Sequence, residues 1–100
     1  MDINLVEAKA EVEAAFNRYE QALIGNDIAT LDELFWESSL TIRYGIDEVL
    51  YGHAEISEFR SARSANGLDR KLSRTVITTY GTDYATTMTL FHRKEPGKLG

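Results

Sequence analysis

Leu5-Val6-Glu7-Ala8-Lys9-Ala10-Glu11-Val12-Glu13-Ala14-Ala15-Phe16-Asn17-Arg18-Tyr19-Glu20-Gln21-Ala22-Leu23 decides the fold. Its apolar and small residues Leu5, Ala8, Val12, Ala15, Phe16, Tyr19, Ala22 and Leu23 recur at the three-four spacing of a helix with one buried face. Gly25-Asn26-Asp27 ends that helix. Gly25 suits the left-handed C-terminal position, and Asp27 can cap the helix that follows. Ile28, Leu31, Leu34 and Phe35 continue the same logic in a short second helix.

Beyond Trp36 the period changes. Leu40–Tyr44 alternates as a strand, Gly45-Ile46-Asp47 reads as a turn, and Glu48–Tyr51 makes a second short strand. Gly52 breaks the chain before a third helix, Ala54–Arg63, with Ile56 and Phe59 inward. Ser64–Asp69 is a polar loop around Gly67. Lys71–Tyr80 and Tyr84–Arg93 are longer strands rich in threonine, joined at Gly81-Thr82-Asp83. Glu95-Pro96-Gly97 is a further turn signal with only three residues after it, as if a returning strand were missing. The pattern predicts one α+β domain over residues 1–100.

Composition narrows the function. Eleven basic against sixteen acidic side chains give a net charge of −5, which disfavours bulk attraction to nucleic acid or anionic membrane. The charge is uneven: residues 1–58 carry three basic and thirteen acidic groups, residues 59–100 eight and three. Arg60, Arg63, Arg70, Lys71 and Arg74 cluster in the second part. No aromatic interleaves them as a base-stacking platform would. They read as a solvated face or a complementary subunit contact, with a polyanion patch as the other option. The absence of cysteine removes thiolate metal sites and cysteine nucleophiles and fits a reducing, cytoplasmic setting. Acidic groups throughout residues 1–20 exclude a signal peptide there, and no apolar run is long enough to span a membrane.

Arg43 carries the sharpest chemical expectation. Its guanidinium stays charged at any accessible pH, so in a half-buried strand it needs an anion, from the protein or from a ligand. If Tyr19, on the inner stripe of the long helix, shares one cavity with it, the pair forms a proton-donating and anion-clamping site. A ligand site further requires that no Asp or Glu of the chain already neutralises Arg43. Trp36, Tyr51 and Phe59 are candidate lining residues, though aromatics at such spacing also suit plain core. Tyr44 alternates away from Arg43 on its strand. His53 reads as a site residue or as part of the next helix start. Arg60 reads as a second carboxylate contact or as a surface partner of Glu55 or Glu58. The separation of His53 and His92 argues against a metal, and no cofactor is implied.

Several short runs carry a family likeness: Met1-Asp2-Ile3-Asn4-Leu5, Phe16-Asn17-Arg18-Tyr19-Glu20, Leu34-Phe35-Trp36, Thr41-Ile42-Arg43-Tyr44-Gly45, Leu50-Tyr51-Gly52-His53, Phe59-Arg60-Ser61-Ala62-Arg63 and Arg74-Thr75-Val76-Ile77-Thr78-Thr79-Tyr80-Gly81. Taken in order, they resemble the AtzH/HpxZ-type domain of the nuclear-transport-factor-2-like superfamily, found beside amidases in triazine and oxalurate catabolism. The resemblance implies a cystatin-like α+β roll, in which a curved antiparallel sheet wraps a long N-terminal helix to make a cone. Members of that family continue with further strands, so it also implies a chain truncated at its C-terminus.

Ketosteroid isomerases of the wider superfamily are similar at Arg18-Tyr19, Ala22-Leu23, Asp27, Leu34-Phe35 and Thr41-Ile42. Tyr19 stands where their oxyanion-donating tyrosine stands, and Arg43 where their catalytic aspartate stands. A permanent cation cannot be that base, so the isomerase mechanism does not carry over. The resemblance implies instead a small anionic substrate, a carboxylated urea of the dicarboxyurea type processed toward allophanate by hydrolysis or decarboxylation. Tyr19 and Arg43 would be catalytic, and Trp36, Tyr51, His53, Phe59 and Arg60 would bind substrate. The alternative is a non-catalytic anion-binding or oligomerising module, a homodimer or an amidase's partner, for which the open edge of Tyr84–Arg93 is suited.

Overall fold

The computed structural model describes residues 1–94 and 99–100. The elements run α1 (Val6–Ile24), α2 (Ile28–Leu34), β1 (Ile42–Tyr44), β2 (Val49–Tyr51), α3 (His53–Ala62), β3 (Arg70–Tyr80) and β4 (Tyr84–Arg93). Order and type follow the expected pattern, with ends displaced by one or two residues. The expected turn at Glu95-Pro96-Gly97 lies outside the described residues. Beyond it, Leu99 bridges His92 in antiparallel sense, and Gly100 exchanges backbone hydrogen bonds with Phe91.

The junction between α1 and α2 departs from expectation in one respect. Gly25 keeps a right-handed conformation (φ −82°), and Asn26 takes the left-handed one (φ 51°). Asparagine tolerates that region because its short polar side chain can bond locally. At Gly25 a Cβ would lie 3.3 Å from the Gln21 carbonyl oxygen, closer than ordinary van der Waals contact. Asp27 caps α2 as its type predicts. Its Oδ1 accepts from the Thr30 amide at 3.2 Å, and its Oδ2 from the Thr30 hydroxyl at 2.7 Å. Those bonds, the hydroxyl's first, hold the Asp27 carboxyl below its ordinary value of 3.8.

Among the described residues the strands form two separate two-stranded antiparallel sheets rather than one continuous curved sheet. In β1–β2, Arg43 pairs with Leu50, flanked by Ile42↔Tyr51 and Tyr44↔Val49. Strand alternation therefore turns Arg43 and Leu50 inward and exposes the four flanking residues. In β3–β4 the register shifts between Ser73 and Val76. Arg74 sits in this bulge with a left-handed backbone (φ 54°). The N-terminal segment runs beside the far end of β3, where Ile3 bridges Tyr80 and the Asn4 side chain accepts from the Thr79 amide.

α1 packs on β3 and α2, α2 on α3, and α3 on β1 and β2. The core sits at the C-terminal end of α1, where Ala22, Leu23 and Leu31 are buried with Tyr19 packed against them. Ile56 and Leu50 carry burial into α3 and β2. The apolar stripe of α1 is thus covered only in part: Ala15 is exposed and Phe16 half-buried.

Two outcomes follow from these contacts. Leu31 is 0% exposed, so Leu31→Ala should destabilise the fold by about 2–5 kcal/mol in urea denaturation. Because Asp27 titrates lower in the folded chain than unfolded, its capping contribution is fully present above pH 3.8 and is lost as pH falls through the folded value. Asp27→Asn should therefore flatten the acid limb of a stability-versus-pH curve below that point.

Candidate functional site

A cavity of about 500 Å³ opens between α1, the β1–β2 turn, α3 and the inner face of β4, within the range of small-molecule sites. Tyr19 and Arg43 both line it, so the structure brings the two central candidates together. Tyr19 reaches it because residues 16, 19, 20 and 23 share one face of α1. Its ring packs against Phe35 at 6.1 Å between centroids. Arg43 reaches it as the inward residue of β1. Phe59 lines it from α3, with the Arg43 guanidinium 5.7 Å from its ring centroid.

One condition set for Arg43 is not met. Its Nη1 donates to Glu48 Oε1 at 2.6 Å, and the two side chains are 15% and 22% exposed. The anion that Arg43 needs is supplied by the chain itself. The β1–β2 turn explains why: Glu48 folds back over Gly45, where a Cβ would fall 1.8 Å from Oε1. The Asp47 amide also donates to Glu48 Oε2 at 3.3 Å. Glycine at 45 thus leaves room for the carboxylate, and Glu48 fixes the plane of the Arg43 fork.

The basic cluster of the second half divides. Lys71 and Arg74 are exposed, as a solvated face would be. Arg63 and Arg70 line the cavity, and Arg93 joins them from β4. Arg70 and Arg93 are direct cross-strand partners, an arrangement that is repulsive unless compensated. Compensation comes from three sides. Both guanidiniums lie against Phe91, at 4.4 and 5.4 Å. Arg93 donates to the Leu68 carbonyl at 2.6 Å. Arg70 holds Glu20 through two bonds, Nε to Oε2 at 3.0 Å and Nη2 to Oε1. Burial, then the charges of Arg70 and Arg43, still lower the Arg93 pKa.

Glu20, Glu48, Arg63, Arg70 and Arg93 escaped the reading of the sequence as site residues. A signal existed only for Glu20, which lies four residues after Phe16 on the inward face. The others reach the cavity through the β1–β2 turn, the end of α3 and long-range strand pairing.

Arg60 fits neither of its expected roles. It is 0% exposed, so it is not a surface partner of Glu55 or Glu58, and it does not line the cavity directly. Its guanidinium lies 4.2 Å from the Phe35 ring, which does line the cavity. Burial pushes its pKa down to about 10, so it stays charged at neutral pH.

Three candidates lie elsewhere. Trp36 is 66% exposed. Tyr51 is exposed on the outer face of β2, where its hydroxyl meets that of Tyr44 at 3.2 Å. His53 opens α3, and its ring donates from Nε2 to the Asp32 carbonyl at 2.8 Å, tying α3 to α2. Strand alternation keeps Tyr51 from the cavity, and the helix-to-helix bond keeps His53 from it. Among the described residues no group of histidine and acidic side chains is arranged to hold a metal ion, and no helix is long and apolar enough to cross a membrane.

The fold recurs in known structures. A protein of unknown function from the DUF3225 family of Pectobacterium atrosepticum SCRI1043 is 55% identical, with a TM-score of 0.94 over 98% of this chain and 77% of that one. A cystatin-like fold protein from Burkholderia xenovorans LB400 is 43% identical, with a TM-score of 0.92 over 99% and 77%. No curated protein matches the sequence. The AtzH-like family model matches residues 1–100 without interruption, and the chain belongs to that family.

Proposed function

We propose that this chain is a cofactor-free enzyme of nitrogen-compound catabolism that removes the terminal carboxyl group of a small carboxylated urea, leaving allophanate. The observation that carries the reading is the convergence of Tyr19 and Arg43 on one cavity with Arg63, Arg70 and Arg93 around them. An arginine-rich hollow walled by Phe16, Phe35 and Phe59 favours a planar anion whose flat faces can lie against aromatic rings. Membership of the AtzH-like family supports triazine-type catabolism as the setting.

In the proposed step the bond between nitrogen and the terminal carboxyl carbon breaks. Its electron pair goes to nitrogen, which takes the Tyr19 hydroxyl proton, and carbon dioxide leaves. Water then returns the proton to Tyr19. Arg43, oriented by Glu48, keeps its remaining donors for the substrate's carbonyl or carboxylate oxygen. Hydrolysis of the amide by water is the competing outcome for the same bound substrate. It releases a carbamate that decomposes to ammonia and carbon dioxide, so ammonia separates the two. A second reading, a non-catalytic anion-binding or oligomerising partner of an amidase, draws support from the Arg43–Glu48 ion pair. A clamp that is already neutralised gains less from a substrate.

The enzyme reading predicts release of carbon dioxide from dicarboxyurea, followed by mass spectrometry, with ammonia measured in parallel. Tyr19→Phe should lower kcat about 10²–10⁴-fold, the usual contribution of a general acid. Full turnover in both Tyr19→Phe and Arg43→Lys, or none in the unaltered chain, would refute it. For the second reading, sedimentation should show a dimer or a complex with the amidase, and a monomer under both conditions counts against it.

A further inference from the structure

We propose that Arg63, backed by Arg60, forms a carboxylate-binding subsite on α3, separate from the Tyr19–Arg43 pair. The two residues lie three apart on α3, hence on one face of the helix. Among the described residues, Arg60 Nε, Nη1 and Nη2 and Arg63 Nη2 are buried without any hydrogen-bond partner. Arg63 has one weak bond, from Nε to Asn26 Oδ1 at 3.4 Å. Every other cavity guanidinium is satisfied from within: Arg43 by Glu48, Arg70 by Glu20, and Arg93 by the Leu68 carbonyl.

The carboxylates whose fields attract these two arginines are bonded elsewhere. Asp32 acts on Arg60, but its Oδ2 accepts from the Ser57 hydroxyl at 2.8 Å. Glu48 acts on Arg63, but it is held by Arg43. Burial and the neighbouring Arg43 lower the pKa of both guanidiniums, so a positive charge remains in this corner without an anion of its own. Leaving a buried charge unpaired is strongly unfavourable, and an anion beside Arg63 relieves that penalty for Arg63 and lessens its repulsion from Arg60.

The surroundings select the anion's shape. Arg60 lies over Phe35 at 4.2 Å, and Arg63 lies 5.6 Å from the Phe59 ring. Stacking covers a guanidinium's face and leaves its edge, where the N–H donors point, for a coplanar oxyanion. Arg63 lines the cavity and makes the contact, and Arg60 supplies charge from behind the Phe35 wall. The ligand class is a small carboxylate. Its identity as one end of a carboxylated urea rests on the function proposed above, whereas the binding of a carboxylate here does not.

Malonate is the probe, added to the full chain and followed by calorimetry and by the rise in Tm that a native-state ligand produces. Arg63→Gln should weaken malonate binding at least tenfold. Arg60→Met should weaken it at least tenfold while raising the Tm of the ligand-free protein, because a buried unpartnered charge is replaced by an apolar chain. A residue there only for packing would not move the two readouts in opposite directions. Unchanged malonate affinity in both variants, or no malonate binding by the unaltered chain, overturns the subsite. If Arg60→Met does not fold, Arg63→Gln and Arg63→Lys decide alone. Absent turnover on dicarboxyurea with malonate binding still lost in these variants sinks the enzyme reading and leaves the subsite standing. Turnover with malonate binding indifferent to both does the reverse.

Discussion

The ion pair of Glu20 with Arg70 joins the two parts of the molecule that local structure cannot join. Glu20 lies on the inner face of α1 and Arg70 at the first position of β3, fifty residues apart, with side chains only 10% and 8% exposed. A two-stranded hairpin is marginal alone, and β3–β4 is one, so its placement depends on contacts with α1. Two parallel hydrogen bonds between a guanidinium and a carboxylate fix distance and orientation together. Removing one partner of such a buried pair typically costs about 3–5 kcal/mol, because the other charge is left stranded. The pair therefore sets how the hairpin faces the cavity, as well as how firmly it is held.

From that anchor the electrostatics of the cavity follow. Arg70 and Arg93 stand opposite each other, Arg43 lies across from them on β1, and Arg60 and Arg63 approach from α3. Glu20 and Glu48 neutralise two of these charges at their own ends of the cavity. Excess positive charge is left on the α3 side, where Phe35 and Phe59 line the wall. The apolar surroundings that make this charge expensive also make an incoming anion effective, since interactions strengthen where water is excluded.

Much of this was legible in the sequence, for physical reasons that differ by element. The helices showed because a buried stripe repeats at helical spacing, and α1 places Tyr19 inward by that rule alone. Strand alternation likewise turned Arg43 inward and left Tyr44 exposed at the cavity's edge. The Arg43–Glu48 pair was hidden because it depends on how a turn folds over Gly45, which periodicity does not describe. Arg63, Arg70 and Arg93 looked like surface charge because net charge per segment carries no information about which face a residue occupies. Trp36 and Tyr51 looked like lining residues because aromatic side chains serve core, surface and site alike. The left-handed position after α1 fell to Asn26 rather than Gly25 because two adjacent residues were both suited to it, and spacing alone does not choose between them.

The bulge at Arg74 gives β3 one residue more than its partner strand here. Ser73 faces Leu90 and Val76 faces Met88, so Arg74 and Thr75 together oppose Thr89 alone. Loss of either would restore one-to-one pairing and keep Arg70 opposite Arg93, but it would remove the bend and added twist that the extra residue gives the strand. Length at this point therefore sets the curvature of β3 rather than the face on which Arg70 lies. Within a lineage of such chains, loss of one residue at 74 or 75 should flatten β3 and shift Arg70 relative to α1 without changing its cross-strand partner.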